Sequence, residues 1–267
     1  ALTAVSLAFP IQNMMIAVAT GTGVGVNAIL SMNLGRKDFK AVNRIAMNSI
    51  TLALISYALF ALFGVFFTRT FFESQTDIPE IIDFGCQYMH IISIFSFGLF
   101  VQIATDRLLQ STGKTFYTLF TQGVGAVINI ILDPIMIFGL FGFPALGVVG
   151  AALATVTGQI MGMMLSIFFN FKKNNEIEFH FKNMRLDLQT VRSIYSVGLP
   201  SIVMASIASV MTFGLNKILM AFTSTATAVF GVYFKLQSFI FMPIFGLNNG
   251  MIPIISYNYG AQNRLRI

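Results

Sequence analysis

The sequence predicts an all-α fold: a polytopic bundle of membrane-spanning helices. Two totals and one pattern predict it. Of 267 residues, 56% are hydrophobic and only 10% are charged, against about 25% charged in an ordinary soluble domain. Mean hydropathy is +0.79. The 16 basic and 10 acidic residues are too few to cover a soluble protein of this length, so soluble and disordered classes are excluded. The pattern is the clustering of those charges between long apolar stretches.

Each crossing needs about 20 apolar residues, and longer stretches can tilt. Seven spans are expected. The first, 2–34, closes at Arg36, Lys37, Lys40 and Arg44, and the second, 41–71, runs to the acidic stretch Glu73, Asp77, Glu80 and Asp83. The third, 79–110, is followed by a loop to which Arg107 and Lys114 are assigned. The fourth and fifth, 116–141 and 146–171, are joined by a short uncharged connection. Lys172, Lys173, Lys182, Arg185 and Arg192 follow the fifth. The sixth and seventh, 188–222 and 225–259, lead to Arg264 and Arg266. Thirteen basic residues thus fall in odd-numbered loops and only Arg69 in the others. By the positive-inside rule the odd loops are cytoplasmic and the chain starts outside, in a cell (inner) membrane of bacterial type. The sequence pI of about 9.6 then reflects topology, with no nucleic-acid partner implied.

The first and last spans align at an offset of 225. Gln12, Gly21, Gly25, Ile29, Ser31, Asn33 and Gly35 match Gln237, Gly246, Gly250, Ile254, Ser256, Asn258 and Gly260. The copies lie six spans apart and so run the same way through the membrane. That is the parallel repeat of a transporter built from two six-helix lobes. About seven of twelve helices are then present: residues 1–172 as five helices of the N-terminal lobe, 173–187 as an inter-lobe linker, and 188–267 as the start of the C-terminal lobe. The apolar opening without an initiator Met fits a fragment.

Other features carry less chemistry. Cys86 is the single cysteine, and no Cys/His cluster has metal spacing around His90 or His180. The glycines of Gly21–Asn27, and the stripe Gly150, Ala154, Gly158 and Gly162, read as helix-contact surfaces rather than as a nucleotide loop. No cofactor is implied, and no nucleophile–base pair suggests an enzyme.

Three charges fall inside spans: Asp133, Lys217 and Lys235. Lys217 is near an outer end and can snorkel. Asp133 stands alone between Lys114 and Lys172, and an intramembrane acid costs roughly 2.5–3.5 kcal/mol on insertion scales, so function is the default reading. Asn129 lies one turn before it on the same helical face. Pro134 frees the carbonyl of Ile130. A carboxylate, an amide oxygen and a carbonyl are hard ligands suited to Na⁺. Burial disfavours the charged carboxylate, which makes proton exchange the other option. Thr155 shares a face with Gly147 and Ala151 on the next span. Gln12, Asn13, Gln102, Gln122, Gln159 and Gln237, with Lys235, are the further polar residues that can line a cavity.

N-I-I-L-D-P (Asn129–Pro134) followed by G-V-V-G-A-A-L-A-T (Gly147–Thr155) closely resembles the paired motifs of the multidrug and toxic compound extrusion (MATE) family. S-M-N-L-G-R-K-D, L-L-Q-S-T-G-K-T (Leu108–Thr115) and S-Y-N-Y-G-A-Q-N fit the same family in order. The resemblance implies helices two to eight of twelve. It implies an antiporter that exports cationic amphipathic drugs or other organic compounds in exchange for Na⁺ or H⁺, by rocking of two lobes and without assembly beyond a monomer. Asn129, Asp133 and Thr155 match the family's N-lobe cation site, with Ala151 offering a carbonyl. The family's other key acid lies on its first helix, absent here, and Asn216 is the second-lobe counterpart by repeat. A lipid-linked-oligosaccharide flippase of related architecture is the alternative, and a seven-helix receptor is a more distant one.

Overall fold

The computed structural model describes residues 2–179, 186–222 and 224–267. Several side chains between 208 and 245 lie outside that description, those of Asn216, Lys217 and Lys235 among them. The described residues form helices and connecting turns: α1 (Leu2–Gly35), α2 (Phe39–Phe66), the short α3 (Thr68–Glu73), α4 (Pro79–Ile94), α5 (Phe97–Ser111), α6 (Thr115–Phe138), α7 (Val148–Lys173), α8 (Leu188–Phe222) and α9 (Ser224–Gly260). The all-α membrane bundle expected from composition is what forms.

The elements follow local rules. Asp38 caps α2 by accepting from the Ala41 amide at 3.0 Å, a contact worth about 1 kcal/mol. Pro79 opens α4, where a missing amide costs nothing. Gly139 ends α6 in the left-handed conformation, and Lys172 and Lys173 complete the last turn of α7, where positive charge is favoured.

Two spans differ from the expected continuous rods. The second stops at Phe66, and α3 adds a separate turn. The third is broken between α4 and α5, whose axes differ by 41°. At the break, both the amide and the hydroxyl of Ser96 bond the Ser93 carbonyl, at 3.3 and 2.8 Å. That local pairing competes with the helical ladder. With the bent pair counted as one, six crossings among the described residues are long and apolar enough to span.

α1 is the axis of the bundle, packed against α2, α4, α5, α8 and α9. The glycines of the first span read as contact surfaces do serve that role. Side chains on Gly21 and Gly25 would run into Ile202 and Ile194 of α8. The stripe on α7 behaves alike: Gly150 meets the Met136 backbone, Gly158 meets Gly125, and Gly162 meets Gln102.

The repeat is visible in atomic detail where the two copies end. After α1, Lys37 N bonds Leu34 O at 3.0 Å and Asp38 N bonds Asn33 O at 3.1 Å. After α9, Gln262 N bonds Tyr259 O at 3.1 Å and Asn263 N bonds Asn258 O at 2.9 Å. Both are Schellman caps, and both place a non-glycine residue at positive φ: Lys37 at 60° and Gln262 at 56°. Asn33 and Asn258 each donate to the carbonyl four residues earlier, at 2.8 and 2.9 Å.

Candidate functional site

α6 and α7 form an antiparallel hairpin whose register is set by close backbone contact. Leu146 N bonds Met136 O at 3.0 Å, and Gly125 and Gly158 touch without side chains between them. This register places Asn129 opposite Thr155 and Asp133 opposite Ala151. Asn129 Nδ2 donates to Thr155 Oγ1 at 3.4 Å, and Thr155 Oγ1 donates to the Ala151 carbonyl at 2.9 Å. Asn129 Oδ1 therefore remains free to accept. Asp133 is half-buried, and its Oδ1 is sealed from solvent without a hydrogen-bond partner. A buried carboxylate oxygen left unpaired is costly. It is also what a cation or proton site presents.

A cavity of about 790 Å³ lies between α5, α6 and α7 on one side and α9 and α1 on the other. Asn129, Thr155, Gln122, Gln159 and Gln102 line it. Asp133 is not among its lining residues. Gln12 and Asn13 are elsewhere too: Gln12 Nε2 donates to the Tyr88 hydroxyl at 3.0 Å, joining α1 to α4, and Asn13 is exposed. Gln237 is half-buried away from the lining. The Lys235 side chain lies outside the described residues.

The largest correction concerns Asp106 and Arg107. Arg107, assigned from sequence to a charged loop, and its neighbour Asp106 stand inside α5, 9% and 2% exposed, and both line the cavity. Asp106 joins three helices. Its Oδ1 accepts from Thr121 Oγ1 of α6 at 2.8 Å and from Ser166 Oγ of α7 at 2.7 Å, and its Oδ2 accepts from Gln122 Nε2 at 3.3 Å. Arg107 Nη1 donates to the amide oxygens of Gln110 at 2.8 Å and of Asn249, on α9, at 3.5 Å.

Below Asp106, α7 continues as a buried polar ladder. Asn170 Nδ2 donates to the Thr105 carbonyl at 2.9 Å, and Asn174 Nδ2 to Asn170 Oδ1 at 3.1 Å. Lys114 Nζ reaches Asn174 Oδ1 at 3.3 Å and Glu176 at 3.9 Å. Ser166 and Asn170, four residues apart, both reach α5, and Asn174 at the end of α7 extends the row to Lys114. The sequence signal for this cluster was Gln102, Asp106 and Gln110 at the same spacing, across the Gly113 turn from Thr118, Thr121 and Gln122.

Comparison with known proteins agrees with this architecture. A multidrug export protein of Staphylococcus haemolyticus is 28% identical over all 267 residues, which span 58% of its length. An FAD transporter of Shewanella oneidensis is 27% identical, with 98% of this chain and 58% of the relative covered. A solved multidrug-resistance MATE transporter in an outward-facing conformation superposes with a TM-score of 0.92 at 24% identity, over 99% of this chain and 58% of the other. The chain thus spans somewhat more than half the length of each. The sequence model of the MatE family matches residues 1–135 and 200–267, the segment with Asn129 and Asp133 but not the one with Thr155. The chain belongs to the MATE family, whose members are transporters and not enzymes.

Proposed function

We propose that the full-length protein is an ion-coupled antiporter that exports cationic amphipathic drugs or other organic compounds, with Na⁺ or H⁺ as the coupling ion. The observation that carries this reading is the unpaired, buried Asp133 Oδ1, opposite Ala151 and one turn from the Asn129–Thr155 pair. Asp133, the free amide oxygen of Asn129, the Thr155 hydroxyl and the second lone pair of the Ala151 carbonyl form a hard-oxygen set that fits Na⁺. Without a metal ion, a proton on Asp133 removes the same unpaired charge. Either ion relieves the site, so its occupancy depends on the imposed gradient. Binding that differs between two lobe arrangements is what couples ion to substrate movement.

The relatives' names support export of small organic molecules, and the FAD transporter extends the range beyond cations. In this reading residues 1–172 and 188–267 belong to two lobes that rock about the cavity, joined by 173–187. The ends carrying Arg36, Lys37 and Arg264 face the cytoplasm of a cell membrane. A flippase for pyrophosphate-linked sugars needs several cations along its path. Among the described residues the cavity lining supplies Arg107 alone.

The test is Asp133→Asn in the full-length protein, assayed by dye efflux from vesicles under imposed Na⁺ and pH gradients. Loss of gradient-driven efflux with folding intact is the expected result. Wild-type coupled transport by the variant overturns the proposal.

A further inference from the structure

The turn between α6 and α7 carries an apolar surface that no described residue covers. Phe138 and Phe141 are 71% and 89% exposed, and Leu140 and Phe143 are exposed beside them. No Asp, Glu, Lys or Arg occurs between Asp133 and Lys172. The turn between α2 and α4, at the same end of the bundle, is built oppositely, with Arg69, Glu73, Asp77, Glu80 and Asp83 in and around it. Water suits that turn. The α6–α7 turn is suited to an apolar phase.

The turn also continues the exposed face of a span. At about 100° per residue, Phe120, Val127, Ile131 and Phe138 fall within about 40° of one line along α6, and all four are exposed. Phe138 ends that stripe and opens the turn. α6 has 24 residues, about 36 Å at 1.5 Å each, against about 30 Å for a hydrocarbon core. With Lys114 at one margin of that core, the turn reaches the other. Much of its backbone bonds within the hairpin, as entry into lipid requires. Gly139 N bonds Ile135 O at 3.0 Å, Phe143 N bonds Leu140 O at 3.2 Å and Gly147 N bonds Ile137 O at 3.2 Å, and Pro144 has no N–H to satisfy. Between Phe138 and Phe143, three residues hold positive φ: Gly139 at 74°, Phe141 at 57° and Gly142 at 85°. Glycine adopts that conformation freely and phenylalanine at a cost, which transfer of the exposed ring into an apolar phase offsets.

We propose that the turn Phe138–Phe143 is a lipid anchor, with its rings seated among the acyl chains at the margin of the bilayer. The partner is the bilayer itself, since the turn extends the lipid-facing stripe of α6 and carries no charge to hold it in water. The anchor fixes the end of the hairpin that carries Asp133, five residues before Phe138. It is independent of the antiporter reading, because neither the ion nor the substrate enters the argument.

The test reads depth by fluorescence. Residues 1–267 contain no tryptophan, so in full-length protein with any tryptophan outside them replaced by phenylalanine, Phe141→Trp is the sole reporter. It exchanges one exposed ring for another and leaves the fold in place. The protein is reconstituted in phosphatidylcholine vesicles whose acyl chains carry bromine at carbons 6 and 7 or at carbons 11 and 12. The shallower bromines should quench Phe141→Trp about twofold more than the deeper ones, as a position near the margin of the core requires. Val127→Trp, about 18 Å along α6 from Thr115, should show the reverse order. Acrylamide in the water should quench Phe141→Trp several-fold less than Glu80→Trp in the charged turn. Acrylamide quenching equal to that of Glu80→Trp, with none by bromine, places the turn in water and overturns the proposal. Protection from both quenchers means that protein covers the turn, a second copy or chain outside these residues, and overturns it too. Stronger quenching by the deeper bromines overturns the placement at the margin.

Discussion

The backbone oxygen of Tyr257 occupies the space in which a side chain on Gly35 would begin. The reverse contact also exists: the oxygen of Met32 occupies that space at Gly260. Tyr257 and Gly260 are Met32 and Gly35 displaced by 225 positions, so α1 and α9 meet through one contact made twice. Gly35→Val should prevent this approach and open the basic end of the cavity. A cysteine placed at Gln110, in a Cys86→Ser background, should then be labelled several-fold faster by a water-soluble maleimide added to the purified protein in detergent. Unchanged labelling with the protein folded would show that the contact does not close that end.

Removing the Asn129–Thr155 pair tests the proposed ion site without touching its carboxylate. Thr155→Val keeps the shape of the side chain and deletes the oxygen. If Na⁺ is the coupling ion, its half-saturating concentration for efflux should rise about tenfold, equivalent to about 1.4 kcal/mol. An unchanged Na⁺ dependence would remove Thr155 from the site.

The donors around Asp106 carry stability. Thr121→Val leaves the buried carboxylate one hydroxyl short, and hydrogen bonds to charged groups contribute about 1.5–3 kcal/mol. A thermal-shift measurement in detergent should show Thr121→Val melting several degrees below wild type. Thr157→Val is the control, since among the described residues Thr157 bonds only the Leu153 carbonyl of its own helix, and it should melt near wild type.

A fourth expectation concerns acid. The hydroxyl of Thr190, then its amide, and Arg44 at 3.5 Å hold the Asp187 carboxyl below the usual carboxylate range. The charged form is therefore favoured in the folded state. Its contribution is fully present above the unfolded value of about 3.9 and is lost as pH falls below that. Hydrogen exchange at the Thr190 amide should lose protection selectively in that acid window. In Asp187→Asn the pH dependence should vanish while a neutral cap remains.

The spans were legible because hydropathy over about 20 residues reports the solvent directly. Asp133 was legible because no other charge lies between Lys114 and Lys172, and Asn129 and Thr155 because few polar residues share their faces. The family pattern also pairs them. Arg107 was misassigned, and Asp106 beside it passed over, because an adjacent pair of charges five and four residues from the end of α5 looks like the start of a loop. Their burial depends on Ser166 and Thr121, neutral residues from helices that sequence spacing does not bring to α5. Gln12 and Asn13 show the converse limit, since a polar residue within a span can serve a helix contact or an exposed face instead of a cavity. The break at Phe95–Ser96 was hidden because one serine bonding back three residues leaves the hydropathy unchanged.

The polar ladder along α7 divides that helix into two mechanical halves. At Ser166 and Asn170 it is riveted to α5, through Asp106 and the Thr105 carbonyl. On the side of Gln159 nearer its start, α7 meets α6 through small residues and one long amide–hydroxyl bond, and α6 carries Pro134, which donates no backbone hydrogen bond, within its last two turns. The riveted half acts as a footing and the other as a compliant arm. An ion bound at Asp133, as proposed, would act on the half that no side-chain bond fastens to α5.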